Sequence, residues 1–375
     1  MSETARLAVF LAAVLAIWTS MHLYVGHRLW RLPGVSAPGV RPALVAAGVL
    51  LMLAYPLGRV LDRLGWRAAG HALELVGAQW MGVLFLVLTT LVLVDLLTGL
   101  GFWFKPWVPA ARLGAAALAL ALAAVATIQG LRAPALRHAE VRLAGLPEAA
   151  AGLRVAHLSD LHLGPLLGER WLDGRVAQVL AERPDLVVIT GDLVDSDSRH
   201  VESMLPALQR LAAPLGVWAV SGNHEFYAGI EASLSLMERA GFEVLRDRAV
   251  EVAPGLVLAG VDDLTARRQL GIGGDVLGAA LDGRPAGATI LLSHTPWLAA
   301  EAARRGVGLM LSGHTHDGQI WPFGLLVRLQ YPLVGGRYEV DGMQVLVSRG
   351  TGGWGPRMRL WRRAEIWLLT LQPAA

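Results

Sequence analysis

The chain contains no cysteine. Disulfides, cysteine-based zinc sites and thiol nucleophiles are therefore excluded, while the redox compartment is left open. Charge is scarce as well. Only 17% of the 375 residues are charged, against 54% hydrophobic. That balance is too apolar for an ordinary soluble protein and points to membrane segments. The formal net charge is only +3, and much of the arginine lies between apolar segments. Such charge reads as topological rather than as a nucleic-acid footprint, so no nucleic-acid partner is expected. Repeats, low-complexity tracts and long linkers are also missing.

What the first third of the chain does contain is long apolar runs. They cover about 7–26, 43–58, 75–94 and 113–131. A bilayer crossing takes about 20 apolar residues, so a transmembrane domain of four helices is expected over 1–135. The first run lacks the basic start and small-residue cleavage site of a signal peptide. The second is short, with Pro56 near its end, and suits a tilted or re-entrant helix. Trp80, Trp103 and Trp107 suit the membrane interfaces. His22, Glu74 and Asp95 sit near segment ends or within reach of partners, so interfacial placement is expected for them. With four spans, Arg6, Arg59, Arg63, Arg67, Arg132 and Arg137 fall on one side. Arg28, Arg31, Arg41, Lys105 and Arg112 fall on the other, a slight bias toward a cytoplasmic C-terminal domain.

From about Ala139 the texture changes, and a second domain is expected over 136–375. Strand-length apolar runs begin at Leu153, Asp185, Gly216, Leu256, Thr289, Leu309, Met343 and Glu365. Helical patterning lies over 169–182, 203–211 and 231–240. Strands alternating with helices, followed by a strand-rich end, predict an α/β domain with one or two sheets.

Five of these strands end in polar loops. They are Ser159-Asp160-Leu161-His162, Gly191-Asp192-Leu193-Val194-Asp195, Ser221-Gly222-Asn223-His224-Glu225, Ser293-His294-Thr295-Pro296 and Ser312-Gly313-His314-Thr315-His316-Asp317-Gly318. Ligands bind beyond the carboxyl ends of strands in open α/β sheets. Any one loop could be an ordinary polar turn, but five delivering carboxylate, amide or imidazole groups to one rim point to a metal site. The donor types suit manganese, iron, zinc, nickel or cobalt. Seven candidate ligands over-supply one ion and fit two that share a carboxylate. Two metal ions about 3.5–4 Å apart are a device for phosphoryl chemistry.

The order Asp-x-His, Gly-Asp-x-x-Asp, Gly-Asn-His-Glu, a lone His and Gly-His-x-His resembles the calcineurin-like metallophosphoesterases. The resemblance spans roughly residues 150–371. Within that family it is most similar to the membrane-associated bacterial branch, which includes lipid-directed phosphodiesterases. The closing Ser348-Arg349-Gly350-Thr351-Gly352 and Pro356 are similar to that branch. The resemblance implies a two-sheet α/β/β/α sandwich behind the four-helix membrane domain. It also implies a multi-pass protein of the bacterial cytoplasmic membrane. Asp160, His162 and His316 would hold one divalent ion, manganese foremost, and Asn223, His294 and His314 a second. Asp192 would bridge both. His224 would face the substrate, stabilise phosphate charge and act as general acid. A hydroxide held between the metals would attack phosphorus in line. Asp195 and Glu225 would orient ligands. The implied substrate is a phosphodiester or pyrophosphate, lipid-linked as in UDP-diacylglucosamine. The competing reading is a membrane sensor or scaffold that binds without cleaving. A replaced ligand would have favoured it, and none is replaced.

Outside these motifs, His157 reads as a core histidine and Arg349 as an ion-pair partner or a phosphate contact. Tyr227 is a candidate flank of the site, and the indole- and arginine-rich stretch 354–363 a candidate headgroup contact.

Overall fold

The computed structural model describes residues 3–374, without the side chains of residues 3–7, 10 and 11. Arg6 and Leu7, used in the charge and span readings, therefore lie outside the described side chains. The chain divides into two compact units. One comprises residues 1–131 with the short segment Gly355–Leu360; the other comprises 132–354 and 361–375.

The first unit is helical: α1 (Glu3–Leu29), α2 (Val40–Arg63), α3 (Arg67–Leu97) and α4 (Val108–Leu131). Among the described residues, α2, α3 and α4 are long and apolar enough to cross a membrane. Each helix extends past its apolar run into charged or polar residues, because backbone hydrogen bonding continues where hydropathy stops. α2 runs unbroken through Pro56. Small residues let α2 and α3 meet closely. A Cβ on Gly58 would sit 2.6 Å from the Glu74 backbone nitrogen. The two buried carboxylates of these helices are paired. Glu74 meets Arg59 at 3.1 Å, and Asp95 meets Arg28 at 2.6 Å and Arg112 at 2.7 Å. Trp80 donates to His22 at 2.9 Å.

The second unit holds twelve strands in two mixed sheets of six. The first sheet contains β1 (Ala135–Leu143), β2 (Arg154–Leu158), β3 (Leu186–Thr190), β4 (Val217–Val220), β5 (Glu243–Val244) and β12 (Glu365–Pro373), in the order β1-β12-β2-β3-β4-β5. The second contains β6 (Arg248–Ala253), β7 (Leu256–Gly260), β8 (Ala288–Leu292), β9 (Leu309–Ser312), β10 (Gly336–Val340) and β11 (Met343–Val347), in the order β10-β11-β9-β8-β7-β6. The strands β2-β3-β4-β5 and β7-β8-β9-β11 are parallel.

Parallel strands buried on both faces read as continuous apolar runs. Alternate side chains then serve different layers. Ile290, Leu292, Leu309 and Leu311 pack between the sheets against Val155, Leu186 and Val188. Leu291 and Met310 face the opposite way, toward Leu277, Leu281 and Ala302 on outer helices. On the first sheet, Val187 and Ile189 pack outward against Leu172 and Val176 of α5 (Glu169–Ala181). The result is the α/β/β/α arrangement. β1, β5, β6 and β10 have partly exposed faces and no long apolar run, so hydropathy did not mark them.

Candidate metal centre

The five polar loops follow β2, β3, β4, β8 and β9, and the fold draws their side chains together. Three groups form in which every ligand atom lies within 4.8 Å of the others. They are Asp160, His162 and His316; His162, Asp192 and His224; and Asp192, His294 and His314. His162 and Asp192 each belong to two groups, so the set is continuous. Asp192 Oδ2 lies 3.2 Å from His294 Nε2 and 3.6 Å from His162 Nε2. His162 and His316 approach Nε2 to Nε2 at 3.1 Å, and His314 Nδ1 lies 3.2 Å from His294 Nε2. Asn223 opens α6 (Asn223–Ala228), and its Oδ1 is buried without a hydrogen-bond partner among the described residues.

The backbone is strained where these groups converge. Asp160, His162, Asp192, His314 and His316 all adopt positive φ, from 47° to 68°. Such conformations cost on the order of 1–3 kcal/mol each and persist only where the surroundings enforce them. Gly313 is required by proximity: a Cβ there would collide with Ser159 Oγ and Asp160 Oδ2.

Several neighbours fix the ligand orientations. Ser159 Oγ donates to Asp160 Oδ2 at 2.6 Å, and the His314 backbone N–H reaches Asp160 Oδ1 at 3.1 Å. His294 Nδ1 contacts the Thr190 carbonyl at 2.7 Å, leaving Nε2 directed at Asp192. The fully buried Glu225 accepts from the backbone N–H groups of Asp192, Val194 and Gly222 at 2.9, 3.0 and 2.6 Å. His224 Nδ1 bonds the Asp195 carbonyl. Asp195 also lies 3.4 Å from His162 Nδ1.

Electrostatics follow from burial and crowding. Burial alone would raise the Asp192 carboxyl, but the surrounding His294, His224 and His162 hold it well below the usual carboxylate range. Burial, then the positive charge at His294, push His314 down to about 3, so its imidazole is a neutral lone-pair donor at pH 7. Burial and the Asp192 charge push Glu225 up to about 7.

The set fits divalent cations. Imidazole nitrogens face one another across 3.1–3.2 Å, beside buried carboxylates and an orphan amide oxygen. A shared cation satisfies lone pairs that protons cannot all satisfy at once.

A family model described as calcineurin-like phosphoesterase matches residues 153–318. An uncharacterized metallophosphoesterase of Aquifex aeolicus is 38% identical over 224 residues, covering 59% of this chain and 85% of that protein. The chain belongs to the calcineurin-like metallophosphoesterases. A Danio rerio relative of this family, named a transmembrane protein with metallophosphoesterase domain, is 38% identical over 273 residues. That match covers 68% of this chain and 62% of the relative, so the chain spans about three-fifths of that protein's length. Among solved structures, the calcineurin-like phosphoesterase YfkN from Bacillus subtilis aligns with 54% of this chain and 82% of its own, with a TM-score of 0.37 and 15% identity.

Other motif residues take bland roles. His157 is buried in β2, bonded to Thr190 Oγ1 at 2.8 Å, and stands in none of the three groups. Arg349 pairs with Asp317 at 3.0 Å and Glu365 at 3.5 Å. Tyr227 flanks the site, its ring 5.4 Å from that of His224. Tyr331 was not foreseen. Its hydroxyl lies 2.7 Å from His314 Nε2, and nothing in Leu329-Gln330-Tyr331-Pro332 marks it as a site residue.

Proposed function

We propose that the chain is a membrane-anchored phosphoesterase that uses two divalent ions, manganese foremost, to hydrolyse a phosphodiester or pyrophosphate bond. The observation that carries this reading is Asp192, buried between His162 and His294 and common to two of the three ligand groups. Asp160, His162 and His316 would hold one ion, and Asn223, His294 and His314 the other, with Asp192 between them. The bound ions would polarise the phosphoryl oxygens and lower the pKa of water.

The protein's own groups do the rest. Glu225 locks the loops after β3 and β4 in register, which fixes Asp192. With Nδ1–H donated to the Asp195 carbonyl, Nε2 of His224 is the ring atom left for the substrate, and in the imidazolium form it would donate to a phosphoryl or leaving oxygen. In this reading His224 serves as the general acid. The helices of the first unit would hold the protein in the bacterial cytoplasmic membrane as a multi-pass protein, four spans including α1, with the catalytic domain on the cytoplasmic side.

The test is hydrolysis of bis-p-nitrophenyl phosphate and p-nitrophenyl phosphate by detergent-purified protein, with manganese and with EDTA. Manganese-dependent cleavage that prefers the diester is the expected result. No cleavage of either compound at two bound ions per chain would overturn the reading in favour of a binding-only protein.

A further inference from the structure

His294 and His314 stand on different loops, after β8 and after β9, and meet with His294 Nε2 3.2 Å from His314 Nδ1. In each ring the outer nitrogen decides what the inner one can offer. His294 Nδ1 lies 2.7 Å from the Thr190 carbonyl, which only accepts, so Nδ1 carries a proton there. His314 Nε2 lies 2.7 Å from the Tyr331 hydroxyl. A cation held by both rings requires a lone pair at His314 Nδ1. The proton of the neutral imidazole then sits on Nε2, and Tyr331 supplies the acceptor that this tautomer needs.

Tyr331 is itself held in place. Its ring stacks on Trp297, with 5.5 Å between centroids and 15° between planes. Trp297 follows His294 on the same loop, in the run His294-Thr295-Pro296-Trp297. The Tyr331 ring also stands edge-on to that of His314, 5.0 Å away at 68°. Its backbone N–H donates to the Val327 carbonyl at 3.0 Å, and the Gln330 side-chain amide donates to its hydroxyl at 3.3 Å. The ring thus rests on the loop that carries one imidazole, while the hydroxyl holds the other.

We infer that Tyr331 is a positioning residue for the ion held by Asn223, His294 and His314. By accepting from His314 Nε2–H it fixes the tautomer in which Nδ1 binds the metal. By stacking on Trp297 it keeps the two imidazole-bearing loops together. The inference rests on the two-ion reading above and adds a group that stands in none of the five motif loops. Tyr331 acts through His314 and takes no part in the chemical step.

The test titrates the chelator-stripped full chain in detergent with manganese, against a fluorescent competitor, to obtain a dissociation constant for each of two ions. His314→Ala identifies which constant belongs to the ion on His314. Tyr331→Phe keeps the ring and both of its ring contacts and removes only the hydroxyl. It is expected to weaken that one constant by about 10–100-fold, the scale of losing an orienting partner of a metal ligand. The other constant and the melting temperature of the metal-free protein should not move. Ring-nitrogen NMR spectra of the zinc-loaded, isotope-labelled protein should place the His314 proton on Nε2. Two unchanged constants in Tyr331→Phe, or a proton on Nδ1, overturn the positioning role and leave the two-ion reading intact. Equal weakening of both constants with a lower melting temperature shows general structural support instead and also overturns it. Fewer than two ions in the unsubstituted protein, or two unchanged constants in His314→Ala, removes the two-ion reading and the inference with it.

Discussion

The buried carboxylate of Glu225 accepts a 2.9 Å hydrogen bond from the backbone N–H of Asp192. The residue in the third polar loop thus sets the backbone of the second, where φ is +52°. Glu225→Gln replaces one acceptor with an NH2 group facing backbone N–H donors. Leaving a buried donor unsatisfied costs about 1–3 kcal/mol, and losing the support of a ligand weakens metal affinity about 10–100-fold. Metal content after dialysis against graded chelator, with melting temperature, checks this. Unchanged metal retention would show that Glu225 does not position Asp192.

Asp192→Ala is expected to abolish manganese-dependent turnover while the protein stays folded. It removes the one carboxylate shared by two ligand groups. Metal analysis should show fewer than two ions per chain. Retained activity would sink the two-ion assignment.

His224→Ala should keep both metals and lose rate. General acid–base groups contribute about 10²–10⁴-fold, and the loss should fall on kcat rather than on metal content. Its proximity to His162 and Asp192 makes the alternative concrete. If metals are lost instead, His224 is a ligand.

His157 is neutral in the fold, burial pushing it down to about 3 from an ordinary 6.5. Its folded value lies below its unfolded value, so the unfolded chain binds the extra proton between pH 6.5 and 3. The stabilisation is therefore complete above pH 6.5 and is lost as pH falls toward 3. Melting temperatures measured in chelator at pH 7, 6 and 5 should fall less steeply for His157→Leu than for the unsubstituted protein. Parallel slopes would show that another group controls acid stability.

In the helical unit, Asp95 carries Arg28, Arg112 and the Tyr24 hydroxyl together. Asp95→Asn leaves the buried Arg112 and the partly buried Arg28 facing a neutral partner. Removing one member of a buried ion pair costs on the order of 3–5 kcal/mol. The expected outcome is a lower melting temperature in detergent, with kcat unchanged below the transition. A loss of kcat at unchanged stability would instead give Asp95 a functional role.

The sequence by itself determined the element types wherever one period dominated. β2, β3, β4, β8 and β9 were legible as apolar runs because both of their faces are largely buried. The five polar loops were legible because each follows such a strand. Hydropathy could not mark edge strands such as β10, whose faces alternate between partly buried and exposed. Nor could it show that Glu225 reaches back 33 residues to the Asp192 amide, that Tyr331 meets His314, or that Gly313 lies against Asp160 across 153 positions. Those relations depend on which strand ends share a rim. That is fixed by pairing β2, β3 and β4 in one sheet and β8 and β9 in the other, then burying the two sheets against each other. A local pattern records what each segment must bury. Only the closed core decides which segments meet.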